Sequence, residues 1–289
     1  MKGLRKSLGM IESDWTKLPW MLTRNRELLV SVVFTWQLPY VRKVVCQRSL
    51  VWDTARIGGP AVQLVPDYFQ GIDGVQVGGE LPGAIQLHNP MATRTTMGCP
   101  RACAFCAVKR LDGEFRELED WPDLPILIDN NLLAASERHF QRVINRLVQW
   151  GVADFNQGLD SRLLTAEHAR LIKLIKRPMI RLALDNISYR DDWDRALDIL
   201  LQAGIPKRRI RSYALLGFRS DPSEGWARCE YIQSKGIRVL PAWYHRLDTL
   251  KHNIVTDEQR GWGWTDYERR RIMQWFYKHK QAIKYGGEQ

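Results

Sequence analysis

Met179-Ile180-Arg181-Leu182-Ala183-Leu184-Asp185 is a short apolar run that stops at a carboxylate. It leads into residues 192–203, which have helical character and are closed by Gly204. A mostly apolar run of this length, broken only by Arg181, reads as a strand ending at Asp185. Outward in both directions the same unit recurs. Before it, residues 152–155 read as a strand and 165–176 as a helix opened by Thr165, with Glu167 in its first turn. Before that come a strand at 124–129 and a helix at 137–150. After it, a strand at 211–216 ends in Gly217-Phe218, a helix at 224–235 is closed by Gly236, and 237–243 is the last strand. With a further strand at 92–97, six strands alternate with helices, which predicts a parallel sheet, as either an open sheet or an incomplete barrel.

Active sites of parallel α/β folds lie at the carboxyl ends of the strands. Here those ends carry Asp129, Asn130 and Asn131; Asn156, Gln157, Asp160 and Arg162; Asp185 and Asn186; Gly217; and Tyr244, His245 and Arg246. The strand at 92–97 runs into Cys99-Pro100-Arg101-Ala102-Cys103-Ala104-Phe105-Cys106, three of the chain's five cysteines in eight residues. Thiolates so close in a loop can converge on one inorganic centre, and soft sulfur favours iron–sulfur clusters or zinc. A zinc site wants a fourth Cys or His at ligand spacing, and none lies nearby. Three thiolates on a cubane cluster leave one iron open for a substrate or cofactor. Cys46 and Cys229 stand alone and read as buried or incidental.

The 289 residues allow one large α/β domain or a barrel with a small accessory unit, and 45% hydrophobic content suffices for a core without disulfides. An odd number of cysteines is no disulfide framework, and a reducing compartment suits them, so the expectation is a soluble cytoplasmic protein. No apolar run reaches the roughly 18 residues of a membrane span. The net charge of +11 suits a polyanionic partner, but the excess is spread over residues 2–6, 173–177, 207–211 and 269–271, as on a solvated surface.

Residues 1–26 read as a basic arm packed on the surface. A small incomplete α/β unit follows over about 27–85, with strands at 28–36 and 49–52 and glycine-pair turns at Gly58-Gly59 and Gly78-Gly79. These glycines form neither G-x-G-x-x-G nor a P-loop, so no nucleotide site follows from them. Residues 82–90 read as a linker and 265–284 as a basic, aromatic helix.

Cys99-x3-Cys103-x2-Cys106, with Phe105 before the last cysteine, resembles the signature of the radical S-adenosylmethionine (radical SAM) enzymes. The strand order behind it is similar to their partial (β/α)6 barrel, over about residues 91–246. The resemblance implies three segments: an N-terminal arm and reduced α/β unit (1–90), the barrel (91–246) and a C-terminal helical extension (247–289). It implies a [4Fe–4S] cluster on Cys99, Cys103 and Cys106, whose fourth iron chelates the amino and carboxylate groups of SAM. One electron then cleaves the cofactor, and the 5′-deoxyadenosyl radical abstracts hydrogen from a substrate that the sequence does not identify. The electron implies an external flavodoxin- or ferredoxin-like donor.

By the same resemblance Phe105 lies near the adenine, which also meets backbone near Gly217 and residues 240–242. Gln157 and Asp185 are contacts to the methionine carboxylate or ribose. The family's Gly-Gly-Glu element is replaced by Asp129-Asn130-Asn131, like the Asp-rich variant of the methylthiotransferase and cobalamin-dependent branches. Residues 32–36 and 57–60 look like fragments of the cobalamin-binding domain of one branch. The Asp-x-His-x-x-Gly segment with the cobalt ligand is missing, so a reduced relative that binds no cobalamin is expected. No catalytic side chain and no oligomeric state is assigned. Three alternatives stand beside this reading: a radical SAM enzyme modifying RNA or DNA, with the tryptophans stacking on bases; one modifying a peptide; and a non-enzymatic iron–sulfur or zinc protein that binds nucleic acid.

Overall fold

The computed structural model describes residues 18–47, 51–79 and 81–278. The predicted arm before residue 18, part of the strand predicted at 49–52 and the end of the predicted helix 265–284 lie outside them.

The N-terminal unit is a four-stranded sheet in the order β1 (Trp20–Arg24), β2 (Glu27–Ser31), β3 (Thr54–Gly58), β4 (Val75–Val77). β2, β3 and β4 run parallel, and β1 is an antiparallel edge. Two expectations are corrected. Residues 20–24 belong to the sheet and not to a surface arm, because the Asn25-Arg26 turn, with both residues at positive φ, folds them onto β2. The strand predicted at 28–36 stops at Ser31, and helix α1 (Leu38–Cys46) follows with proline in its first turn. Helix α2 (Pro60–Leu64) starts directly after β3. The predicted linker holds a short helix, α3 (Ala84–His88).

The large sheet has six strands, all parallel and adjacent in chain order: β5 (Ala92–Thr93), β8 (Ile126–Leu127), β9 (Val152–Phe155), β10 (Arg177–Ala183), β11 (Ile210–Leu216) and β12 (Arg238–Trp243). The strand predicted at 92–97 is split. Only Ala92 and Thr93 pair in this sheet, while β6 (Thr96–Met97) turns away into a hairpin with β7 (Arg116–Glu117). The cysteine loop and helix α4 (Val108–Leu111) lie inside that hairpin.

Helices α5 (Glu137–Trp150), α6 (Ala166–Lys173), α7 (Arg190–Gln202) and α8 (Pro222–Ser234) join successive strands. Their starts follow from side-chain oxygens that cap free backbone N–H groups: Ser136 accepts from His139 N, Thr165 from His168 N and Asp221 from Glu224 N. Short α9 (Asp257–Gly261) and α10 (Asp266–Lys278) follow the last strand. Buried apolar residues form two clusters. One gathers Leu28, Val30, Ile57 and Phe69 of the N-terminal unit; the other runs from Trp121 to Phe276 around the large sheet. The chain is thus a mixed α/β protein with two sheets dominated by parallel pairing. Among the described residues no helix is long and apolar enough to cross a membrane.

Candidate active site: the cysteine loop at the strand ends

The split of the first strand has a local cause. Asp129, just past the end of β8, is 3% exposed. Its Oδ1 accepts from Thr95 N (2.8 Å), Thr95 Oγ1 (2.7 Å), Thr96 N (2.5 Å) and Thr96 Oγ1 (2.8 Å). The two backbone N–H groups would serve a sheet ladder if the strand continued; the carboxylate takes them instead, and the strand's pairing in this sheet ends at Thr93. The next residue repeats the device, since Asn130 Oδ1 accepts from Gly98 N at 3.1 Å. Asn131 Nδ2 donates to Cys99 Sγ (3.5 Å) and to Asp160 Oδ2 (3.1 Å). Asp129-Asn130-Asn131 is therefore first a brace for the cysteine loop.

Gly98 is where the loop passes closest to the hairpin. Its φ is +75°, and a Cβ there would stand 2.3 Å from the Glu114 carbonyl oxygen. Only glycine fits both demands. Beyond it, Arg101 N donates to Cys99 Sγ (3.4 Å) and Cys106 N to the Cys103 carbonyl (2.9 Å).

The loop opens onto a cavity of about 210 Å³. Of the residues singled out from the sequence, Cys99, Cys103, Cys106, Phe105, Asn130, Asn131, Gln157 and Asp185 line it. Asp129 lies behind the wall, in the brace. Gly217 also stands apart: its carbonyl accepts from Gln259 Nε2 (2.9 Å), and a Cβ on it would come within 2.7 Å of the Trp243 ring.

Asp160 and Arg162, named from the sequence among the strand-end polar residues without a role, line the cavity as well, as do Arg101 and Tyr189, which sequence reasoning did not single out. Asp160 accepts from Arg101 Nε (3.2 Å) and from Arg162 Nε (2.7 Å) and Nη2 (3.1 Å). Burial works to raise its pKa, but the bonds and charges of Arg162 and Arg101 outweigh it and hold the carboxyl below the usual range. Two guanidiniums thus face this one carboxylate, while Asp185 and Asp192 also line the cavity. The position of Asp160 and Arg162 at a strand end was the signal, and Arg101 sat inside the cysteine motif itself. Phe105 meets Phe218 edge-on at 5.5 Å, and Phe218 meets Tyr244 at 4.8 Å, an aromatic run along the site.

Burial pushes the Cys106 thiol up, as do neighbouring Cys103, Cys99 and Asp185. The desolvated Asp185 carboxyl is itself raised to about 6. Burial thus disfavours negative charge on both groups, a penalty that a bound cation relieves. Asn131, which lines this cavity, is 4% exposed, and its buried Oδ1 has no hydrogen-bond partner in the protein. Soft thiols with N–H groups aimed at one sulfur suit an iron–sulfur centre, and the orphan amide oxygen suits an ammonium ligand beside it. The three thiols share the cavity without standing in coordinating positions: among the described residues, no three His, Cys, Asp or Glu do so. Cys46 is exposed, and Cys229 is buried with its thiol pushed up to about 12, so both stand outside the site.

No protein-family model matches the chain, and no curated protein matches it.

Proposed function

We propose that the protein is a radical SAM enzyme whose six parallel strands form a partial (β/α)6 barrel around the site. The observation that carries the reading is that Cys99, Cys103 and Cys106 line one cavity at the strand ends together with Asn131, whose buried Oδ1 has no hydrogen-bond partner in the protein. The three thiolates are the residues to hold a [4Fe–4S] cluster. When bound, cluster and SAM supply reductive cleavage to methionine and a 5′-deoxyadenosyl radical, with the electron from a flavodoxin- or ferredoxin-like donor.

The chain's own residues position and exclude. Asn131 Oδ1 offers the acceptor that an amino group requires. Arg101 and Arg162, kept in place by Asp160, offer positive charge to a carboxylate. Phe105, with Phe218 behind it, gives an apolar face against which a purine can stack and from which water is kept. Arg209, whose pKa is lowered first by burial and then by neighbouring Arg208 and Arg177, sits with them at the amino ends of β10 and β11, the end of the sheet opposite the cysteine cavity.

The test is anaerobic reconstitution with iron and sulfide, reduction, and assay of 5′-deoxyadenosine released from SAM. Release by the native chain, and none by a Cys99→Ala, Cys103→Ala, Cys106→Ala triple variant, is expected. Equal yields from the two proteins would remove the reading.

A further inference from the structure

A second cavity, of about 260 Å³, lies between the N-terminal unit and the large sheet. Asn130 and Gln157 line both this chamber and the cysteine cavity, so the two spaces share a wall at the ends of β8 and β9. Its apolar surface comes from Pro60 and Ile85 of the N-terminal unit and from Val108, Leu111 and Ile128. The chamber is smaller than the roughly 300–1,000 Å³ of drug-sized pockets, so its ligand is small.

The polar groups select the ligand's charge. Arg94 and Asp112 line the chamber as a mostly buried ion pair, Nη1 to Oδ1 3.2 Å, with side chains 18% and 13% exposed. An anion brought there meets the Asp112 carboxylate, and a cation meets the Arg94 guanidinium. Each loses at the shielded like charge what it gains at the other, after being stripped of water. His88, at the same wall, adds no charge near neutral pH, since burial pushes its pKa down. An uncharged ligand escapes both costs. Arg94 Nε is buried with no acceptor in the protein, an N–H that a ligand oxygen reaching it would satisfy. The carboxamides of Gln63, Asn130 and Gln157 supply both donors and acceptors around it.

We infer that the chamber binds a small uncharged molecule carrying a carboxamide or lactam group on an apolar body, and that this molecule is the substrate presented to the cysteine cavity. The second half rests on the function proposed above; the binding itself does not.

Binding is read on the full chain without reconstitution, by fluorine NMR line broadening of para-fluorobenzamide, para-fluorobenzoate and para-fluorobenzylamine. The amide is expected to bind at about millimolar affinity, as a fragment of its size should, and about tenfold more tightly than either charged analogue. Ile85→Trp and, from the opposite wall, Leu111→Trp fill the chamber and abolish binding. Arg94→Lys keeps the ion pair, loses Nε and weakens binding about tenfold. Circular dichroism identifies which variants are folded, and one folded filling variant decides. No binding of the amide, equal binding of a charged analogue, or undiminished binding by a folded filling variant overturns the inference. Amide binding without 5′-deoxyadenosine release removes the proposed function and leaves the chamber; release without amide binding does the reverse.

Discussion

One oxygen of Asp129 holds two backbone N–H groups and two hydroxyls, of which the Thr95 hydroxyl also lies 3.3 Å from His139 Nε2. Asp129→Ala leaves the two backbone N–H groups and the Thr96 hydroxyl without this acceptor, which should cost about 2–4 kcal/mol, read as a lower urea midpoint with unchanged slope. A shift below about 0.5 kcal/mol would mean that the brace is dispensable. Asn131 calls for a different readout. Removing its amide in Asn131→Ala deletes the buried acceptor on the cavity and should weaken SAM binding to the reconstituted protein about tenfold. Calorimetric titration showing unchanged affinity would take Asn131 out of the cofactor's contacts.

At the scale of elements, the turn through Gly98 decides whether the cysteine loop can form. Gly98→Ala puts a methyl 2.3 Å from the backbone oxygen of Glu114 and forces a positive φ on an L side chain. Backbone cannot swing aside as a long side chain does, so the loop must move. Iron bound per chain after reconstitution should fall severalfold, while far-ultraviolet circular dichroism stays native; full loading would contradict this. The elements also show what a sequence makes legible. Helix α5 and strand β9 were predicted at their observed bounds, and the structure shows why they were legible: the helix is bounded by its chain neighbours, Ser136 capping it and Gly151 closing it, and the short strand is buried throughout. Strand β5 was predicted too long because its end is set by Asp129, more than thirty residues away. β1 escaped notice because an exposed edge strand shows no apolar alternation. In the site, thiols and strand-end amides were legible by type and place. The Arg101–Asp160–Arg162 arrangement was not, since it needs two loops to meet.

Across the whole molecule, the N-terminal unit is fastened to the segment after β12. Thr35 Oγ1 donates to the Thr249 carbonyl (2.6 Å), and Trp36 meets His252 (4.6 Å) and His245 (4.7 Å). Burial first, then the neighbouring His252, with Arg269 adding to it, pushes the His245 pKa down to about 4. Its Nε2 accepts from Asn253 N (3.0 Å), which requires the neutral ring. The unfolded chain binds this proton more readily than the folded one. The stabilisation is therefore complete above about pH 6.5 and is lost as pH falls towards 4. Allowing for partial solvent screening, it amounts to about 1–2 kcal/mol. His245→Phe keeps the ring and removes the titration, so its urea midpoint should fall less between pH 7 and about pH 4.5 than that of the native chain. Parallel declines would assign the acid sensitivity elsewhere.

The central claim, an iron–sulfur cluster with one iron open to SAM, is tested most directly by the electron paramagnetic resonance spectrum of the reconstituted, reduced protein with and without SAM. The account predicts a [4Fe–4S]⁺ signal whose g-values shift when SAM is added, and no such signal from the triple cysteine variant. A native signal indifferent to SAM, or no cluster signal at all, would contradict it.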